Sequence, residues 1–403
     1  MPTDPFIHLH LHTEYSLLDG AVRIGDLMKK AERCKMPAVA MTDHGNIFGA
    51  IEFYQAAKKA GIKPIIGCEA YLTPPGVPLT EKKAEMVSSG KVKKKRNSHL
   101  TLLASTNEGY ANLMKLVSLG HLEGMYYKPR IDKEALAAHS EGIICLSGCI
   151  NGEINQFIQN EDLDSARKSL GEFVDIFGKD RFFLEVHDHG FSEQATCTRQ
   201  MVQFGKEYGL GLVAANDVHF LNQADHDAHD VMICIGTGSL LMDENRMKYS
   251  PEVYFKTTNE MRRLFKDLPE ACDNTLRIAD MCNVAIHLDS TSSEKYPQFD
   301  SPDGSPREAY FEKVCYEGLA WRYGERAKTD QELRARLDYE IGVMAKMGFV
   351  SYFLITWDFV KWAKDNGVPV GPGRGSAAGS LVAYVLGITD LCPLNPEIGR
   401  AHV

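Results

Sequence analysis

The sequence predicts an α/β protein, an irregular barrel of seven strand–helix units followed by a second, smaller domain, and three observations carry that prediction. Short β-rich runs alternate with longer helical segments from residue 5 to about residue 220, the pattern that generates parallel sheets and barrels. A Ser- and Pro-rich stretch at 287–310 has the chemistry of a linker. The length of 403 residues fits two or three folded units at roughly 100–200 residues each.

The β-rich runs fall at 6–12, 38–42, 64–71, 99–105, 143–147, 182–186 and 212–220, with helical segments such as 24–34, 47–60, 110–119 and 192–208 between them. Seven such units point to a barrel of irregular closure rather than a flat doubly wound sheet. An insert at 73–98 interrupts the alternation, opening with Pro74-Pro75-Gly76 and closing with Lys91, Lys93, Lys94, Lys95 and Arg96. Its basic run reads either as a contact for a phosphate backbone or as a solvated loop. Beyond the linker, 332–344 and 352–366 carry apolar residues at helical spacing, and a glycine-rich turn then leads into an apolar helix at 381–386. The expected boundaries are 1–285 for the barrel, 286–310 for the linker, 311–396 for the second domain and 397–403 for a tail.

Hydrophobic residues at 44% and charged ones at 25% match globular averages and exclude collagen-like or broadly disordered chains. No apolar run reaches eighteen residues, and the first residues lack a secretory pattern, so the expected location is the cytoplasm, with no membrane. The 45 basic and 54 acidic residues leave a charge of −9, which excludes a protein that grips nucleic acid by overall basicity. The 10 cysteines form no CxxC pair and read as reduced thiols.

Strand alternation over 6–12 sets His8, His10 and His12 along one wall. At the carboxyl ends of later runs stand Asp43-His44, Cys68-Glu69, Gly148-Cys149 and Asp217-Val218-His219, where barrel sites gather. Imidazole, carboxylate and thiolate bind zinc, manganese or iron, and their dispersal over several strand ends allows one pocket to hold more than one ion. His99 stands at the front of its run and reaches that pocket only if its strand is bent or reversed. His187, His189, His226 and His229 read as supporting or surface residues.

The segments at 8–20 (HLHLHTEYSLLDG), 41–46 (MTDHGN), 126–130 (YYKPR) and 215–220 (ANDVHF) resemble the PHP (polymerase and histidinol phosphatase) domain that opens bacterial DNA polymerase III alpha subunits. That resemblance implies a metal-ligand set of His10, His12, Asp19, His44, Glu69, His99, Cys149, Asp217 and His219, with His8 outside it. It further implies a three-metal phosphoesterase centre of zinc, manganese or iron, working in relatives as a 3′→5′ exonuclease.

The segment Gly371-Pro372-Gly373-Arg374-Gly375-Ser376-Ala377-Ala378-Gly379-Ser380 offers backbone amides ahead of a helix, a form suited to anions. It resembles the opening of the family's nucleotidyltransferase-like palm, which implies that Arg374, Gly375 and Ser376 contact the incoming nucleotide. The resemblance also implies a parent enzyme that extends DNA with Mg²⁺, using primer–template and dNTPs, in company with a sliding clamp and other replisome subunits. Its catalytic Asp-x-Asp segment is expected further downstream, so this chain is not expected to polymerise.

Residues 398–403 resemble the translation of a sequencing adapter, so a truncated copy with a non-native tail at 397–403 is expected. In such a half-palm the apolar face of 381–386 should lie uncovered. Two other readings stand beside this one: a stand-alone phosphoesterase for small phosphomonoesters, against which the palm-like loop argues, and a metal-stabilised scaffold, against which the unbroken ligand set argues.

Overall fold

The computed structural model describes residues 4–81, 85–88, 91–94, 97–288 and 297–394, with the side chains of 85–88 and 91–94 outside that description. The basic side chains at the end of the insert and the tail at 397–403 therefore lie outside the described residues. The chain forms two units, Met1–Ile286 and His287–Val403.

In the first unit the strands are β1 (Ala38–Met41), β2 (Lys63–Leu72), β3 (Glu85–Ser88), β4 (Lys91–Lys94), β5 (Ser98–Ala104), β6 (Met125–Tyr126), β7 (Lys128–Ile131), β8 (Ile143–Leu146), β9 (Phe182–Val186) and β10 (Gly211–Ala214). The main sheet runs β10-β9-β8-β5-β2-β7-β6, with β1 also paired to β2, while β3 and β4 form a separate hairpin. Helices α1 (Ile24–Arg33), α2 (Ala50–Lys59), α3 (Asn107–Leu122), α4 (Lys133–Ala138), α5 (Glu153–Gln159), α6 (Leu163–Phe177), α7 (Ser192–Tyr208), α8 (His226–Thr237), α9 (Thr258–Leu264) and α10 (Pro269–Met281) complete the unit. Local chemistry sets many of their ends: Thr106 and Asp132 accept the first-turn amides of α3 and α4, and Gly209 takes the left-handed turn that stops α7. Strands such as β9 are buried along their whole length, which explains why they read as continuous apolar runs.

Two features differ from the sequence expectation. Residues 6–12 form no regular ladder; they run as an extended segment that joins the two ends of the sheet. His8 O and Leu11 O accept from Ala40 N (2.9 Å) and Thr42 N (2.8 Å), while His10 O and His12 N pair with Val218 N (3.2 Å) and Val218 O (2.8 Å). The segment thus closes the irregular barrel. Its histidines do not share one wall: His8 packs against Phe6 and Phe255 and meets Lys256 O at 2.8 Å, away from His10 and His12.

The second feature resolves the position of His99. Strand β5 is antiparallel to both neighbours, with His99 opposite Tyr71 of β2 and Thr101 opposite Leu146 of β8. A reversed strand enters the sheet at the end where the parallel strands leave it. His99, at the start of β5, therefore stands beside the carboxyl ends of β1, β2 and β8.

Among the described residues the second unit is helical: α11 (Arg307–Tyr323), α12 (Arg326–Thr329), α13 (Gln331–Lys346), α14 (Val350–Asp365) and α15 (Leu381–Val385), with a 3₁₀ turn at Gly375–Gly379. Its core gathers Phe311, Leu319, Leu337, Leu354 and Leu381. The expectation of an uncovered face at 381–386 is corrected, because Leu381, Val382, Val385 and Leu386 are buried in that core. Two contacts seat α15: the glycine at Gly318 lets α11 approach until an added Cβ would sit 2.1 Å from Val385 O, and Glu340 of α13 accepts from Val382 N at 3.1 Å. No single helix among the described residues is long and apolar enough to cross a membrane.

Candidate metal centre

The strand ends converge on two carboxylates, Glu69 in the carboxyl-terminal half of β2 and Asp217 just after β10. Around Glu69 lie His44 Nδ1 at 2.7 Å, His99 Nδ1 at 3.0 Å, His10 Nε2 at 3.3 Å, His12 Nε2 at 3.5 Å and Cys149 Sγ at 3.6 Å. Around Asp217 lie His12 Nε2 at 3.2 Å, His10 Nε2 at 3.5 Å and His219 Nδ1 at 3.5 Å, while His44 Nε2 reaches Asp19 at 3.3 Å. All nine residues singled out in the sequence thus meet in one network. The geometry offers several overlapping three-donor groups, among them His12/His44/His219, His10/His12/Glu69 and His44/Glu69/His99.

Three rings show how the chain prepares the pocket. His10 Nδ1 is held by Glu185 at 2.6 Å, His12 Nδ1 by Ser16 Oγ at 3.0 Å and His219 Nδ1 by the carbonyl of Asp217 at 2.8 Å. In each ring the opposite nitrogen, Nε2, is buried without a hydrogen-bond partner, as are Asp19 Oδ1, Glu69 Oε2, Asp217 Oδ1 and both nitrogens of His44. So many buried polar atoms without a hydrogen bond would be costly but for the ion pairs among them. Imidazoles anchored through one nitrogen with the other free are built for ligation, so the donor set fits divalent ions.

Backbone geometry serves the same end. Asp217 is held at φ 47°, an uncommon left-handed conformation for a residue with a side chain, and strain of this kind collects at functional sites. Asp43 does not face the cluster; it accepts from Thr13 N, Thr13 Oγ1 and Ser16 Oγ, and so fixes the loop that carries His12 and Asp19. Tyr249 donates to Asp19 Oδ2 at 2.9 Å, the oxygen that His44 Nε2 also approaches.

The charges interlock. Burial works against protonating His44, but Glu69 and Asp19 outweigh it and raise the ring to about 10. His10 is likewise raised against burial by Glu185, Asp217 and Glu69, whereas burial, with His44 and His219, pushes His12 down to about 3. Burial alone would raise Glu69 and Asp217, yet the imidazoles hold both well below the usual carboxylate range. Burial and Glu69 push the Cys149 thiol up. The raised rings of His10 and His44 hold protons beside the carboxylates, and a cation bound there would displace them.

Sequence reasoning missed Glu185. It lies within β9, fully buried, and its two oxygens are fully used: one accepts from His10 and from His187 (2.9 Å), the other from Thr101 Oγ1 (3.1 Å) and Gly148 N (3.1 Å). The available signal was a lone acid inside the apolar run Phe182-Phe183-Leu184-Glu185-Val186, since a buried charge needs partners. His187 and His189 are buried rather than superficial, and His229 holds the carbonyl of Asp19 at 2.7 Å.

In the second unit Arg374, Gly375 and Ser376 are exposed, and Gly375 takes φ 63° where the 3₁₀ turn begins. The helix start after them is already in use, because Ala383 N donates to Ser380 Oγ and Val382 N to Glu340. The anion-binding amides expected at that helix start are thus partly spent, leaving the glycine turn itself.

A mixed-sheet α/β barrel with imidazole, carboxylate and thiol donors collected at its strand ends defines the class, and residues 8–189 match the PHP domain. Residues 309–399 match the bacterial DNA polymerase III alpha NTPase domain. The chain is a homologue of the DNA polymerase III alpha subunits along nearly its whole length. It is 46% identical to that subunit of Borreliella burgdorferi over 97% of this chain and 33% of the relative, and 42% identical to that of Treponema pallidum over 98% and 33%. The Thermus aquaticus subunit is 41% identical over 97% of this chain and 36% of its own length. The chain therefore spans about a third of the length of these curated relatives.

Proposed function

We propose that this chain is the N-terminal part of a replicative DNA polymerase III alpha subunit and that its barrel hydrolyses phosphodiesters at the 3′ ends of DNA. The observation that carries the reading is the trio His10, His12 and His219, each anchored at Nδ1 with a buried Nε2 that makes no hydrogen bond, those of His10 and His12 lying 3.2–3.5 Å from Glu69 and Asp217.

The ligands are His10, His12, Asp19, His44, Glu69, His99, Cys149, Asp217 and His219, enough for three ions of zinc, manganese or iron. Ions so held supply Lewis acidity and lower the pKa of water. The chain's own share is to keep the donors ionised and oriented, through Glu185, Ser16, Asp43 and Tyr249, so that no side-chain nucleophile is required. Extension of DNA from dNTPs with Mg²⁺ belongs to the parent chain, where Arg374, Gly375 and Ser376 meet the triphosphate. Primer–template, sliding clamp and other cytoplasmic replisome components are the partners on this reading.

The test is His44→Ala in the 403-residue chain, assayed for metal-dependent release of nucleotides from the 3′ end of a labelled oligonucleotide. Loss of release with an unchanged circular dichroism spectrum is expected. Wild-type rates in that variant would sink the assignment.

A further inference from the structure

The family-like block at 126–130 has no part in the donor cluster, yet the fold sets it against the cluster's edge. Strands β6 and β7 form a tight hairpin in which Tyr126 pairs with Lys128 and Tyr127 makes the turn. The hairpin abuts the His44 loop, because a Cβ added to Gly45 would lie 2.6 Å from Pro129 and 3.2 Å from Tyr71. Lys128 Nζ stands 5.2 Å over the Tyr71 ring, and that ring stacks on His44 at 5.9 Å and meets His99 edge-on at 5.2 Å.

Tyr127 is unusual in two ways at once. It is 88% exposed, and it is held at φ 59°, where a side chain is strained. Sixteen glycines of the described chain take such a conformation against four other residues, and Tyr127 is the aromatic one among the four. Glycine or asparagine would relieve the backbone, and the Tyr127 ring, which meets Tyr126 edge-on at 4.7 Å, still stands almost wholly in water, so that one contact is a weak reason for tyrosine here. Among the described residues no ion pair engages Lys128, whereas the neighbouring Arg130 is buried and spent on the carbonyls of Leu79, Glu81 and Gly124. Phe48, 59% exposed, flanks the same loop, packed near His121, which in turn meets Gly45 O at 3.0 Å.

An exposed ring beside an ammonium that makes no ion pair among the described residues, at the lip of a phosphodiester site, is the chemistry that holds single-stranded nucleic acid: bases stack on the ring while the cation takes a phosphate. We infer that the turn Tyr126–Lys128 is a strand-binding platform, with Tyr127 stacking on a base and Lys128 pairing with a backbone phosphate as the strand end enters the donor cluster. This rests on the phosphodiester reading of that cluster, and the alternative occupant, a protein partner, is an outcome of the test.

The experiment titrates the 403-residue chain into a 5′-fluorescein-labelled dT12 in EDTA, followed by anisotropy, so that binding is read without cleavage. Tyr127→Gly should weaken binding about tenfold and, by relieving the backbone, raise Tm by about 2–4 °C. Tyr127→Phe should bind as the wild type does, and Lys128→Ala should lower the slope of log K against log salt by about 0.7. Binding unchanged in Tyr127→Gly, a wild type that does not bind dT12, or a Tm that falls in Tyr127→Gly together with its binding would each overturn the platform. Hydrolysis of methyl 4-nitrophenyl phosphate by the metal-loaded wild type reads the cluster separately. An inert wild type there, with Tyr127-dependent binding intact, would sink the phosphodiester reading and leave the platform in place.

Discussion

Glu185→Gln is the sharpest single perturbation of the donor cluster, because it changes one atom and no volume. Glu185 is a carboxylate in the folded chain: burial would raise it, but His10 and His187 bring it down to about 2. Its four hydrogen bonds all need an acceptor. If the new amide NH₂ faces Thr101 and Gly148, it opposes the Gly148 N–H, donor against donor. If it faces His10, it drives that ring to the tautomer with Nδ1 bare and Nε2 protonated, and the proton then points at the space between Glu69 and Asp217. Either arrangement loses a charge-assisted bond worth about 1.5–3 kcal/mol and leaves a buried group unmet. Metal affinity should fall about 10–100-fold, the usual effect of removing the partner that orients a ligating imidazole. The assay is metal content by mass spectrometry after dialysis against graded chelator, with Tm measured on the same samples. A variant that keeps wild-type affinity while its metal-free Tm drops would show that Glu185 only holds the fold, and the orientation argument would fail.

Other expectations follow from particular contacts. Burial keeps His189 uncharged down to about 3, against 6.5 for a free imidazole, so between those values the unfolded chain binds a proton that the folded chain refuses. Stability from this group is complete above pH 6.5 and falls as the solution is acidified, by about 2 kcal/mol at pH 5; the stability of His189→Gln should lose that slope, and an unaltered pH profile would refute the assignment. Gly318→Ala must push α11 off α15, because the clashing atom is the backbone carbonyl of Val385, and should destabilise the second unit by at least about 1–3 kcal/mol. All 3 tryptophans, Trp321, Trp357 and Trp362, lie in that unit, so fluorescence-detected urea unfolding reads it alone, and an unmoved midpoint would contradict the packing. Adding Mn²⁺ or Zn²⁺ to chelator-stripped protein at about a hundred times Kd should stabilise it by about 2.7 kcal/mol, and a Tm that ignores both ions would remove the metal centre.

The nine clustered residues were legible mainly through the family resemblance, since strand ends alone pointed to His44, Glu69, Cys149, Asp217 and His219 and not to Asp19 in its loop or His99 at the front of its run; six of the seven expected strand positions hold strands. The reversal of β5 was legible only as a demand made by His99. Strand direction is set by how the chain returns through the insert, and no local pattern encodes it. The first run alternates as a strand would, yet its hydrogen bonds go to two different neighbours, which is a property of barrel closure. Glu185 stayed hidden for the opposite reason. Apart from His187, its partners stand 37 to 175 residues away, and a single acid in a strand carries no spacing that points to them.

Closure by the first segment also sets a schedule. His10 and His12 come off the ribosome about two hundred residues before Asp217 and His219, an interval of about 10–40 s at about 5–20 residues per second. The segment takes further bonds from still later residues, Ile7 N to Thr275 Oγ1 and His8 to Lys256. During synthesis the early histidines therefore wait beside an open sheet edge, and a nascent chain in a metal-rich cell can present only part of its donor set. On the proposed metal reading, loading with the full complement of ions would follow the arrival of the last strand, and metal selection would fall to a nearly finished barrel whose cavity already has its shape.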